Sequence, residues 1–137
     1  MSDLVFVLVV LIPLLGLGGL AVDGGQVLVE RRVVQGIADG AARAGAAELD
    51  EPSARQDPTS APRLDADAAW TAAAQYIAVQ PPGLEAHIDT SSSAVVVHLT
   101  SRPIPMSFLR LAGITTVRIE ADARAEPETG VVAPEGP

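Results

Sequence analysis

From Leu4 to Val22 the chain reads LVFVLVVLIPLLGLGGLAV, nineteen residues without a charged or strongly polar side chain, closed by Asp23. At the helical rise such a run spans roughly 28 Å, close to the hydrocarbon thickness of a bilayer. A helix packed in a soluble core needs an apolar stripe, not an apolar circumference. The run therefore predicts a transmembrane segment over residues 1–22, or a helix in a setting that replaces lipid, such as the interior of a filament. A cleaved signal peptide carries a basic stretch ahead of its apolar one. The run here is preceded by Met1-Ser2-Asp3 and continues into a helical pattern, so the expectation is an anchor.

The rest of the chain is long enough for one small domain. Cysteine is absent, which removes disulfides and thiolate zinc sites from consideration. All nine basic residues are arginine and the net charge is −8. With no basic patch to meet a phosphate backbone, nucleic acid is not an expected partner. The aromatic residues are Phe6, Trp70, Tyr76 and Phe108; alanine and valine supply most of the hydrophobicity. That composition predicts a light core with close helix contacts. The positive-inside count, with Arg31 and Arg32 beyond the run and no basic residue before it, points the C-terminal side toward the cytoplasm.

Helical patterning continues past Asp23. No proline interrupts residues 23–49, and Val27, Val34, Ile37, Ala41 and Ala44 recur on one helical face. The pattern predicts one helix from about Leu4 to Leu49, roughly 69 Å long, with Pro13 as a kink point. Gly36, Gly40 and Ala44 form one small-residue ridge, and Ala41 with Gly45 forms another. Such ridges let helix backbones approach closely, which makes these five residues the candidate helix-packing surface.

Residues 50–63 carry three prolines and no period, the composition of an exposed loop. A compact unit is expected over residues 64–125. Asp65 is a candidate N-cap for a second helix, with Ala69, Trp70, Ala73, Ala74 and Ile77 inward and Pro81-Pro82-Gly83 as its stop. The period then changes to two. Leu84, Ala86 and Ile88 alternate with polar residues, as do Val95, Val97 and Leu99, and Ser91-Ser92-Ser93 lies between them. A hairpin is expected, with Ile88 opposite either Val95 or Val97; the second register sets His87 against His98. Residues 103–113 read as a crossover with a helical turn and a glycine stop, its Phe108, Leu109 and Leu111 covering one end of the sheet. Thr115 to Ala125 reads as a third strand with Val117, Ile119, Ala121 and Ala123 inward. The tail over residues 126–137 is expected to be disordered. The fold class is α+β: a long N-terminal transmembrane helix, a second helix and a small antiparallel three-stranded sheet.

Little in the chain suggests catalysis, and the expectation is a non-enzyme without a cofactor or a small-molecule substrate. Gly16-Leu17-Gly18-Gly19 lies inside the apolar run with no strand before it, so it is not a phosphate loop. Ser91 to Ser93 have turn composition and no oxyanion helix nearby. His87 and His98, with Glu85 or Asp89 beside them, are two ligand types on an exposed strand face, too few to assign a metal. Asp23 stands at the end of the apolar run. It is either a boundary residue at the water interface or, with Arg31 and Arg32, a candidate for an ion pair between subunits.

The stretch from Pro13 to Leu49 resembles the N-terminal region of TadE/TadG-like proteins of the Flp pilus assembly system. The carrying residues are Val22-Asp23-Gly24-Gly25, then Val29-Glu30-Arg31-Arg32, then the run from Ala38 to Ala46 (ADGAARAGA). The resemblance implies a pilin-like minor subunit of a Tad, type IV-type, pilus, with a structural role in assembly, priming or capping. It implies a single-pass topology with the N-terminus in the cytoplasm and the ectodomain outside, opposite to the arginine count. Its implied partners are other pilin-like subunits, the assembly platform and the lipid bilayer. The alternative is a monomeric membrane-anchored module that binds a partner or supports the envelope and never enters a filament.

Overall fold

The structure is a computed structural model that describes residues 2–57 and 60–127. The expected tail over residues 126–137 lies outside these from residue 128 onward. One helix, α1 (Ser2–Ala46), is helical on both sides of Pro13 and forms the axis of the molecule. Its two halves have different surroundings. From Leu4 to Val22 every residue except Gly19 is exposed. From Val34 onward one face is closed: Val34, Ile37, Ala38, Ala41, Ala42 and Ala46 are buried. These lie on the predicted apolar face, widened by the alanines beside it.

What covers that face is α3 (Ala66–Ala78) and a three-stranded antiparallel sheet. The strands are β1 (Glu85–Thr90), β2 (Val95–Thr100) and β5 (Glu120–Ala125), in the order β1-β2-β5. Their inward residues Val95, Val97, Leu99, Ala121 and Ala123 meet α1 together with Ala69 and Ala73 of α3. The other sheet face carries His87, His98, Glu120, Asp122 and Arg124 toward solvent, the usual division for a sheet packed on one side. Small side chains set the helix spacing. A methyl group added at Gly45 would stand 2.8 Å from the Ala69 carbonyl oxygen, so only glycine lets α1 and α3 meet there.

The hairpin adopts the register with Ile88 opposite Val97, and His87 and His98 are direct partners with ring centroids 6.4 Å apart. Ser91 closes the turn, its Oγ accepting from the Ala94 N–H at 3.1 Å. On the edge strand β1 the inward residues are only partly covered: Ile88 is half-buried and Ala86 exposed. Asp65 caps α3, its carboxylate accepting from the N–H groups of Asp67 and Ala68 at 3.1 Å. Trp70, expected inward on α3, is instead 50% exposed. The alanines at 69 and 73 let α3 lie too close to α1 for an indole between them.

Two expectations about the connections change. The stretch over residues 50–63 contains a short helix, α2 (Glu51–Gln56). Asp50 caps it through the Ser53 N–H, Pro52 sits in its first turn and Arg55 pairs with Glu51. These are local contacts in a segment without an apolar face, so no period announces it. The expected third strand is also divided. Thr116–Val117 forms β4, which pairs with β3 (Ile104–Pro105), while Glu120 to Ala125 joins the main sheet. Ser101 marks the division: its N–H donates to the Ile119 carbonyl, and its buried hydroxyl accepts from the Ile119 N–H at 3.0 Å.

Candidate assembly surface

The β3–β4 ribbon is the element that connects the folded head to the apolar half of α1. It continues from the Met106 N–H bond to the Thr115 carbonyl into a tip with a 3₁₀ turn over Leu109–Ala112. Gly113 stops the turn in the left-handed conformation, φ +88°, as a glycine permits. The tip does not cover the end of the sheet. Phe108 lies on Gly19 of α1, so close that a side chain at Gly19 would overlap the ring. Leu109 faces α1 beside Leu20, and Leu111 is 88% exposed. The correction has a plain cause: Asp23 pulls the tip toward the helix.

Asp23 is fully buried. Its Oδ2 accepts from the N–H groups of Phe108 at 2.8 Å and Leu109 at 2.7 Å, and its Oδ1 accepts from that of Ser107 at 3.2 Å. These successive amides open the 3₁₀ turn and would otherwise lack acceptors. The bond from Leu109 holds the carboxyl below the usual carboxylate range, burial opposes it, and the bonds from Phe108 and Ser107 add to the lowering. Within the chain this carboxylate is an intramolecular tether at the end of the apolar run, met by three internal donors. Arg31 and Arg32 are exposed on α1 and make no ion pair among the described residues.

The small-residue ridges are divided between inside and outside. Gly40 faces Tyr76 of α3, Ala41 is buried, Ala44 is half-buried and Gly45 faces Ala69 and Val95. These four pack within the chain. Gly36 is exposed with nothing beside it. It ends an open line on α1 that runs through Val22, Gly25, Val29 and Val33, all exposed and spaced three or four apart. This line continues directly from the apolar half of the helix. Periodicity had not separated it from the buried face, because valine and glycine occur on both.

On the outer sheet face His98 bonds Asp122 at 2.5 Å and His87 lies 3.3 Å from Asp89. Each imidazole thus has its own carboxylate, and the described residues contain no cluster of three metal-ligating side chains.

No curated protein and no solved structure matches the chain. The family model for Flp pilus-assembly TadE/G-like proteins matches residues 2–48, which is the apolar run, Asp23 and the buried extension of α1 together. Residues 2–48 are therefore similar to TadE/G-like Flp pilus-assembly proteins, a match that supports a pilus-related role for the chain.

Proposed function

We propose that this protein is a pilin-like minor subunit of a Tad, type IV-type, pilus that assembles, primes or caps the filament by helix–helix packing and performs no catalysis. The observation that carries this reading is the asymmetry of α1. One half is built into the head, and the other leaves it with large apolar side chains exposed around its whole circumference. Such a surface must be covered by lipid or by other helices. The helix is long and apolar enough to cross a membrane. In this reading it anchors the subunit with its N-terminus in the cytoplasm and its head outside, and later exchanges lipid for neighbouring subunits. The line from Val22 to Gly36 is the face that neighbouring helices approach, with the assembly platform delivering them.

The test is the location of the protein in piliated cells. Surface fibres are sheared off and probed for the chain, alongside the membrane fraction. Its presence in fibres, with disulfide-linked dimers formed by Gly36→Cys, supports a filament subunit. Its confinement to the membrane fraction without such dimers would instead identify a monomeric envelope module.

A further inference from the structure

We propose that the tip of the β3–β4 ribbon, residues 106–115, is a second membrane-contacting element that enters the boundary between headgroups and acyl chains beside α1. The inference rests on the reading of Leu4–Val22 as a membrane anchor. Three features of the tip carry it.

The first is position. Phe108 sits on Gly19, three residues inside the apolar run, and Leu111 shares an apolar groove with Ile12 and Leu15. At the helical rise Gly19 lies about 5 Å, and Leu15 about 10 Å, below the end of the run at Val22. A bilayer that covers the run therefore also reaches the tip. This is the depth of about 5–10 Å at which interfacial segments settle. The side chains suit that depth, since Phe108, Leu111 and Ile114 are exposed and apolar.

The second is backbone satisfaction. Non-helical backbone is excluded from lipid when its polar groups lack partners. In the tip, Asp23 accepts from the N–H groups of residues 107 to 109. The N–H of Leu111 bonds the Phe108 carbonyl at 3.0 Å. Those of Gly113 and Ile114 bond the carbonyls of Arg110 and Leu109 at 3.1 Å. Asp23 itself has no exposed surface.

The third is charge. In a chain of net charge −8, the stretch from Met106 to Arg118 contains no acidic residue and carries Arg110 and Arg118. Arg110 is exposed at the tip, where a long stem lets its guanidinium reach a headgroup phosphate while its neighbours stay in the apolar layer.

The absence of cysteine makes the experiment direct. Leu111→Cys carries a nitroxide label on the full chain, reconstituted in vesicles of phosphatidylethanolamine and phosphatidylglycerol. Collision with oxygen, which concentrates in lipid, is compared with collision with a water-soluble nickel chelate. Labels at Leu8→Cys and Val79→Cys give the references, the latter residue being 81% exposed at the end of α3. The expected result is a several-fold lower nickel collision rate at position 111 than at position 79, with oxygen access retained. Adding Asp23→Asn is expected to bring position 111 toward the aqueous value and leave position 8 unchanged; retained lipid contact would overturn the part given to Asp23. Nickel access at position 111 equal to that at 79, with position 8 protected, overturns the inference while the anchor stands. Low access to both reagents at position 111 also overturns it, since a second copy would then cover the tip. An aqueous value at position 8 overturns the anchor reading and the inference with it.

Discussion

Asp23 meets partners 84 to 86 residues away in the chain, and this one carboxylate decides where the ribbon tip lies. Asp23→Asn keeps the shape but leaves one acceptor oxygen and turns an NH₂ group toward N–H donors. Amide exchange at Phe108 and Leu109 is expected to accelerate by about tenfold or more, with the buried part of α1 unaffected. The pH dependence follows from the sign of the shift. The folded carboxyl titrates below its ordinary value of 3.8. Its contribution is therefore complete above that value and is lost as pH falls through the lower folded value. The Phe108 and Leu109 amide signals of the detergent-solubilised chain should hold from neutral pH to about pH 4 and move only below it. Asp23 was legible as a singular residue, the first charge after the apolar run. Its partners were not, because a side chain's acceptors and donors far along the chain leave no local pattern.

At the scale of the element, α1 is one helix with two jobs, and its glycines separate them. Gly40→Leu drives a side chain into Tyr76 and is expected to lower head stability by about 1–3 kcal/mol. Gly36→Leu meets open space and is expected to leave stability equal or raise it by up to about 1 kcal/mol through helix propensity. Thermal unfolding of the solubilised chain checks both. Subunit crosslinking should then fall in Gly36→Leu with the head intact, whereas any loss in Gly40→Leu is tied to the head. The long helix, the Asp65 cap and the alternation of β1, β2 and β5 were legible because each rests on a period or a cap. The hairpin register was narrowed to two by parity, and β2's pairing with β5 accompanies the choice of Val97 for Ile88. α2 and the break at Ser101 were not legible, since short elements held by single polar contacts have no period to read.

For the whole molecule, stability resides in the head and the apolar half of α1 contributes little to it. Leu99, 1% exposed near the C-terminal end of β2, packs where α1 and the sheet meet. Leu99→Ala is expected to cost about 2–5 kcal/mol, read as a lowered denaturant midpoint for the head. Val9→Ala, on the exposed half, is expected to leave that midpoint within about 0.5 kcal/mol of the parent. The expected light core is present as alanine on alanine between α1 and α3, and it sends Trp70 to the surface. A core of this kind depends on backbone approach, so added volume at its glycines does more harm than in a core of large side chains.

The sequence by itself determined the long apolar helix, its continuation beyond Asp23, the α+β class and the similarity of the N-terminal region to TadE/G-like proteins. Hydrophobic period and residue order are local properties, and each of these conclusions needs nothing else. Only the tertiary structure decided which small residues face inward, where the ribbon tip goes and what Asp23 does. Those outcomes depend on which side of α1 the sheet and α3 occupy. Glycine and alanine line both sides, so their order along the chain does not distinguish the buried face from the open one.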